Sequence, residues 1–362
     1  MQRDALVQKI SYAQALHQAT DQVMARDRRV IVIGEGVPDP KAIFGTTANL
    51  RETHGAERVF DMPLSENGLT GVCIGAALAG MRPLMIHQRI DFAMLAMDQL
   101  INNAAKWHYM FNGQSTVPLV VRMIIGRGWG QGPQHSQGLQ SLFAHIPGLK
   151  VAMPSNPYDA KGMLISALED NNPVIIIEHR WVHNLVDDVP VDEYKVELGR
   201  ARVLQPGNKL TIAGFSFAIV EALQMARELA KYGIDVEVVD MRSARPLDVE
   251  TLSQSVRKTG HLIAVDAGWA SCGLASELVA LMAMHEFASL KKAPACVTYP
   301  DHPSPTSTHM AGGYFPGPVD LLDTVMKQLD TPLDAAQLAS VKAAISRSGN
   351  LDVPSASFTG PF

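Results

Sequence analysis

Short runs of Val, Ile and Leu, each closed by glycine, proline or a polar cluster, alternate with longer stretches of helical periodicity. The runs are VIVIG, PLMI, LVVRMIIG, KVAM and VIIIE in the first half of the chain, then LTIAG, VEVVD and LIAVD in the second. Near-continuous apolar runs suit strands buried on both faces, where a half-exposed strand would alternate with polar residues. Parallel strands cannot be joined by a tight hairpin, and the intervening helical stretches supply the crossovers they need. The pattern therefore predicts an α/β chain of two doubly wound domains with mostly parallel sheets. A length of 362 residues agrees, because one hydrophobic core seldom grows that large.

Residues 184–208 lose periodicity, gain charge and end on Pro206-Gly207. The expected division is a first domain over 1–190, a linker over 191–205, a second domain over 206–330, and a C-terminal helix with a polar tail over 331–362. Within the first domain Ser11 is a candidate N-cap for the helix that follows, and Pro157 sits at a helix start. TGVCIGAALAGM, rich in glycine and alanine, reads as a helix that allows close backbone approach. DFAMLAMDQLINNAAKWHYMF reads as one helix with an apolar stripe, and the helix from Phe217 is expected to end on Gly233.

Composition narrows the function classes. A hydrophobic fraction of 47% with 19% charged residues fits a globular fold, and a net charge of −5 with scattered basic residues argues against a nucleic-acid surface. The three cysteines form no C-x-x-C pair, which disfavours zinc or a disulfide framework and fits a reducing, cytoplasmic setting. The N-terminal residues show no signal or transit pattern, and the most apolar stretch, 68–86, is broken by Arg82 and Pro83, so no membrane span is expected. No strand leads into G-x-G-x-x-G, and neither a P-loop, H-E-x-x-H nor G-x-S-x-G occurs. Two α/β domains without a phosphate cradle leave two readings: the chain binds no nucleotide-like cofactor, or a partner supplies the grip on its phosphates.

One carboxylate stands out. In DMPLSENGLTGVCIGAALAG, Glu66 stands at the mouth of an uncharged run that otherwise reads as buried. On the residues alone, a helix-start carboxylate facing the helix dipole explains it better than a functional acid does.

MPLSENGLTGVCIGAALAGMRP, AMDQLINNAAKWHYMFNGQSTVPLVVRM, QHSQ, AHIPGLKVAMPSNPYDAKGML and DNNPVIIIEH together resemble the β subunit of the thiamine-diphosphate-dependent 2-oxo acid dehydrogenases, over about residues 8–320. The resemblance implies a transketolase-like pyrimidine-binding domain followed by a transketolase C-terminal-like domain. It also implies an α subunit that holds Mg²⁺ and the diphosphate, an α₂β₂ tetramer with β–β contact, and acyl transfer to a lipoyl acyltransferase. On this resemblance Glu66 is the acid that hydrogen-bonds N1′ of the aminopyrimidine and favours the 4′-imino form, which takes the proton from thiazolium C2. Such an acid must hold or share a proton near neutral pH, and the apolar run after it would raise its pKa.

The resemblance further implies that Phe92 packs on the aminopyrimidine, that Leu64, Gln88 and Glu35 contact the cofactor, and that His135, in the glycine-rich GPQHSQG loop, serves the substrate end. Leu119, Ala167, Leu168, Asp170 and Asn172 match positions where relatives hold a structural monovalent cation, potassium, largely through backbone carbonyls. Two departures are informative. IHQRIDF carries His87 and Arg89 where relatives carry an acidic and an aromatic residue; a guanidinium facing the site would pair with a carboxylate or phosphate, implying a substrate or acceptor other than pyruvate or branched-chain oxo acids. VDAGWASCGLASE has Ala267 and Ala275 where an acidic residue and a glycine are usual, in a region tied to β–β contact and docking to the acyltransferase core. Two other functions compete: half of a split transketolase or carboligase that passes a two-carbon or acyl unit to an aldehyde, and a non-catalytic structural subunit.

Overall fold

The computed structural model describes residues 6–39, 43–128, 130–330, 333–346 and 351–354. The chain folds into two compact units. The first holds residues up to Ile125 and Leu142–Leu198; the second holds Gly126–Ser141 and the chain from Gly199 to Ser357. The QHSQ loop thus groups with the second unit although its sequence lies within the first.

The strands of the first unit are β1 (Val7–Ser11), β2 (Val30–Ile33), β3 (Val59–Phe60), β4 (Arg82–His87), β5 (Val120–Ile125), β6 (Lys150–Ala152), β7 (Val174–His179) and β8 (Val186–Pro190). Six of them form a parallel sheet in the order β6-β7-β5-β4-β2-β3, while β1 and β8 pair antiparallel. Every residue of β5 and β7 is buried, as near-continuous apolar runs require, Arg122 and Glu178 included. Crossovers come from α1 (Tyr12–Arg26), α2 (Leu50–His54), α3 (Glu66–Leu78), α4 (Ile90–Ala93), α5 (Ala105–Met110), α6 (Gln140–Ala144, which straddles the unit boundary) and α7 (Pro157–Glu169). Helix α1 buries Tyr12, Ala15, Leu16, Ala19 and Val23 at helical spacing. Ser11 caps it: its Oγ accepts from Gln14 N at 3.2 Å while Gln14 Oε1 accepts from Ser11 N at 2.8 Å, closing a capping box. Asn156 caps α7 with Pro157 at its first turn.

The single helix expected over 91–111 is four pieces. A 3₁₀ turn (Met94–Ala96) follows α4, and a π segment (Gln99–Ala104) precedes α5. Side-chain bonds from Asn102 to Asp98 and from Asn103 to Gln99 line the irregular stretch.

In the second unit, β9 (Arg202–Gln205), β10 (Leu210–Gly214), β11 (Val236–Asp240), β12 (Ser243–Arg245), β13 (Leu262–Trp269) and β14 (Ala295–Tyr299) appear in chain order. Five of these strands build the order β14-β13-β10-β11-β9, with β9 the one antiparallel edge. The aperiodic stretch read as a linker therefore contributes β8 and β9. The helices are α8 (Ser216–Ala230), α9 (Val249–Thr259), α10 (Leu274–His285), α11 (Thr308–Tyr314), α12 (Pro318–Gln328) and α13 (Ala335–Ile345). α8, α12 and α13 bury Ile219, Leu322 and Ile345 in one core with Leu210 and Val238. α8 stops three residues short of Gly233, which takes φ 75° in the turn that follows. Of the polar tail, Ser346 and residues 351–354 lie within the described residues. Among the described residues no helix is long and apolar enough to cross a membrane.

Candidate active site

In open parallel sheets, ligands gather outside the carboxyl ends of the strands. The first unit has a cleft of about 190 Å³ there, lined by Glu35, Met62, Glu66, Ile86, His87, Gln88 and Phe92. Glu35 follows β2, Met62 follows β3, Ile86 and His87 end β4, and Gln88 follows it. Glu66 is the first residue of α3 and only 8% exposed. Its backbone carbonyl accepts from Thr70 Oγ1 at 2.7 Å, and its carboxylate makes no hydrogen bond within the described residues. Ser65, at the N-cap, offers no side-chain cap, so the carboxylate stands at the positive end of α3 as the cleft wall.

The cleft is electrostatically uneven. Burial, and then the negative charges of Glu66 and Asp61, push the Glu35 carboxyl up. Among the described residues Glu35 Oε1 is buried without a hydrogen-bond partner, and so is His87 Nε2. Burial pushes His87 down to about 4, so its imidazole is neutral at neutral pH. Gln88 Nε2 donates to Glu35 O at 3.2 Å, and Asp61 Oδ1 accepts from Gly36 N at 3.0 Å and Met62 N at 2.8 Å, which holds the two loops in register. Buried polar atoms without partners at the mouth of a sheet are what a polar ring ligand would satisfy.

Of the residues expected at the cofactor, Glu35, Glu66, Gln88 and Phe92 line this one cleft. Leu64 does not line it and is 83% exposed. Arg89 caps α4 at the end of β4, 7% exposed, with burial lowering its pKa and Asp91 opposing. Arg180, just beyond β7, is fully buried, with its guanidinium 5.3 Å from the Phe44 ring centre. Burial and then the charge of Arg89 push Arg180 down to about 9, so the two guanidinium groups feel each other. His135 belongs to the second unit, half-buried, its N–H donating to Gly132 O at 3.4 Å.

The carbonyls matched to a monovalent cation carry protein donors. Leu119 O accepts from Val174 N, Ala167 O from Asp170 N, and Leu168 O and Asp170 O from Arg82 Nη1 at 3.0 and 2.9 Å. Asp170 Oδ1 accepts from Asn172 N at 2.9 Å. A carbonyl has a second lone pair, so these bonds leave room for an ion. Among the described residues no group of three or more His, Cys, Asp or Glu is placed to hold a metal ion.

Met62, Arg180 and the lining role of His87 escape the sequence reading. The usable signal is position: His87 ends β4 and Arg180 immediately follows β7, at the edge where parallel sheets bind ligands.

Comparison with known proteins agrees with this layout. Residues 8–183 match the family model for the transketolase pyrimidine binding domain, and residues 199–319 match that for the transketolase C-terminal domain. The chain is 39% identical over 334 residues to the acetoin:2,6-dichlorophenolindophenol oxidoreductase subunit beta of Cupriavidus necator, covering 90% of this chain and 98% of the relative. It is 36% identical over 319 residues to the pyruvate dehydrogenase E1 component subunit beta of Rickettsia bellii, covering 88% and 98%. A solved structure described as a split gene transketolase, inactive beta4 tetramer, shares the fold with a TM-score of 0.72 at 22% identity, over 88% of this chain and 98% of that one.

Proposed function

This chain belongs to the family of transketolase-like β subunits that includes those of the pyruvate and acetoin enzymes, and on that premise we propose that it is the β half of a thiamine-diphosphate-dependent 2-oxo acid dehydrogenase. The observation that carries the proposal is that Glu66, Glu35 and Phe92 line one cleft at the carboxyl end of the sheet. When bound, thiamine diphosphate supplies a carbon nucleophile that adds to the 2-oxo group and stores the electrons released by decarboxylation. In this chain Glu66 would hold or share a proton with the pyrimidine ring nitrogen, and Phe92 would pack on the ring face. The neutral His87 imidazole adds no charge to the cleft, and a hydrogen bond from Glu66 to the ring would be stronger in such a buried setting.

The partners follow from the chemistry. The sequence carries no P-loop and no G-x-G-x-x-G after a strand to grip a diphosphate, so a separate α chain would carry the diphosphate and Mg²⁺ in an α₂β₂ assembly, with a lipoyl acyltransferase as the acyl acceptor. His135 would orient the 2-oxo acid or the acceptor and pass protons. Arg89 is the chain's own candidate for choosing the substrate, as a buried cation at the end of β4.

The test is co-expression with the α-like chain, followed by a screen of 2-oxo acids and acetoin with thiamine diphosphate, Mg²⁺ and an artificial electron acceptor. Decarboxylation or acetoin cleavage coupled to dye reduction is the expected result. Transfer to an aldehyde without dye reduction would favour the carboligase alternative, and no turnover by an assembled complex would favour a structural subunit. Arg89→Leu is expected to raise KM for the best substrate by about 30-fold, equivalent to roughly 2 kcal/mol of lost charge pairing, with a smaller effect on substrates of lower charge. Identical specificity in that variant would remove Arg89 from the site.

A further inference from the structure

A carboxyl and an amide meet inside the second unit. Asp266 lies on β13, 3% exposed, and Gln140, fully buried, opens α6 at the end of the Gly126–Ser141 segment. Gln140 Nε2 donates to Asp266 Oδ1 at 2.8 Å. The complementary atoms of the same two side chains, Gln140 Oε1 and Asp266 Oδ2, are both buried and have no hydrogen-bond partner among the described residues. An amide oxygen and a carboxylate oxygen are both acceptors and cannot satisfy each other. One proton on the carboxyl turns one of them into a donor and answers both deficits at once.

Backbone closes around the pair. A Cβ on Gly268 would stand 2.8 Å from Gln140 Nε2 and 2.9 Å from Asp266 Oδ2, and one on Gly138 would stand 1.9 Å from Ala267 O. The loop between Gly126 and Ser141 is also tied down at Ser136, whose carbonyl accepts from Ser304 Oγ at 3.4 Å. His135 is the next residue.

We propose that Asp266 is kept as a neutral carboxylic acid that donates Oδ2–H to Gln140 Oε1, closing a two-bond ring that fastens the His135 loop to the second unit, and that loss of this proton loosens the loop. Asp266 and Gln140 are positioning residues in this account. Its consequence for catalysis rests on the role proposed above for His135; the ring itself does not. Burial pushes the Asp266 carboxyl up to about 7, against Gln140 and the amides of Ala267 and Leu274, which favour the anion. The titratable group facing it is the Cys296 thiol on the neighbouring strand β14, itself pushed up first by burial and in part by the charge of Asp266. From the loop the neutral Gln140 bonds it, and from α10 the Leu274 amide.

The sign of the pH effect follows from an acid whose native pKa lies above its unfolded value. The stabilisation is complete below the ordinary carboxyl range and is lost as pH rises through about 7. Asp266→Asn keeps the shape of the neutral acid, with Nδ2–H in place of Oδ2–H, and cannot titrate. Between pH 5 and pH 8 the melting temperature of the full wild-type chain is expected to fall by roughly 5 °C or more relative to Asp266→Asn. Hydrogen exchange of the 130–140 amides should speed up in the wild type above pH 7 and not in the variant at the same pH. Parallel melting curves, or equal exchange, would overturn the proposal. Should Asp266→Asn fail to fold, the wild type alone decides: an infrared carbonyl band of a protonated carboxylic acid, present at pH 6 and gone by pH 8.5, supports the ring, and its absence at pH 6 sinks it. None of these readouts uses turnover, so failure here leaves the proposed activity standing.

Discussion

Glu66→Gln in the assembled enzyme is expected to lower thiamine-dependent turnover by about 10²–10⁴-fold, the range lost when a positioned proton-transfer group is removed. Glutamine keeps the volume and still accepts a hydrogen bond but cannot share a proton with a ring nitrogen. The loss should therefore fall on kcat, with cofactor affinity changing much less. Stability should hold: the Glu66 carboxylate makes no hydrogen bond within the described residues, so the melting temperature is expected to stay within about 2 °C of the wild type. A helix-start carboxylate that merely faces the dipole would give the opposite pattern, a modest stability loss of about 0.3–1 kcal/mol and full turnover. Glu35 offers an internal control. Its carboxyl is held up in part by the charge of Glu66, so in Glu66→Gln that contribution disappears and Glu35 should titrate lower. Carboxyl NMR of Glu35 in the two proteins reads that change directly, and an unshifted Glu35 would separate the two side chains.

How much of this was legible beforehand depends on the range of the interaction that decides each feature. Apolar runs and caps are local, so the strands β5 and β7, the Ser11 capping box and Pro157 at the start of α7 can be read from sequence. The break of the 91–111 helix into 3₁₀ and π pieces is not local in the same sense: its apolar stripe is continuous, and only the amide pairs at 98–103 register the irregularity. The edge strand β9 hides in a charged stretch because an antiparallel edge needs no continuous apolar run. Likewise, the motif around Glu66 made that residue visible, whereas Arg180 and Asp266 acquire meaning only through residues distant in the chain, Arg89 and Gln140. Sequence spacing cannot announce a pairing across 126 positions.

The same limit applies to a buried charge pair in the first unit. Arg122 pairs with Ile176 in the β5–β7 register and Ile124 with Glu178, so by two-residue alternation Arg122 and Glu178 project from the same face of the sheet. The guanidinium donates Nε to Glu178 Oε1 at 2.6 Å and Nη2 to Oε2 at 2.9 Å, and His183 Nε2 lies 2.9 Å from Oε2, all fully buried or nearly so. Burial alone would raise the Glu178 carboxyl, but the charge of Arg122 and the bonds from His183 and Arg122 hold it down at about 2. Arg122→Met leaves that carboxylate buried beside a single imidazole and is expected to destabilise the unit by about 3–5 kcal/mol, a fall of roughly 10 °C in melting temperature. Replacing both partners, Arg122→Met with Glu178→Leu, removes the stranded charge, so the double variant should recover most of that loss. An additive double variant would mean that the strands, not the charges, set the cost. The pH dependence supplies an independent check. Because the native pKa is depressed, the stabilisation is present above the ordinary carboxyl range and lost as pH falls toward about 2. Wild type should therefore lose stability relative to Glu178→Gln on acidification below about pH 4.5, and curves that stay parallel there would show that the carboxylate is not the group the arginine holds in place.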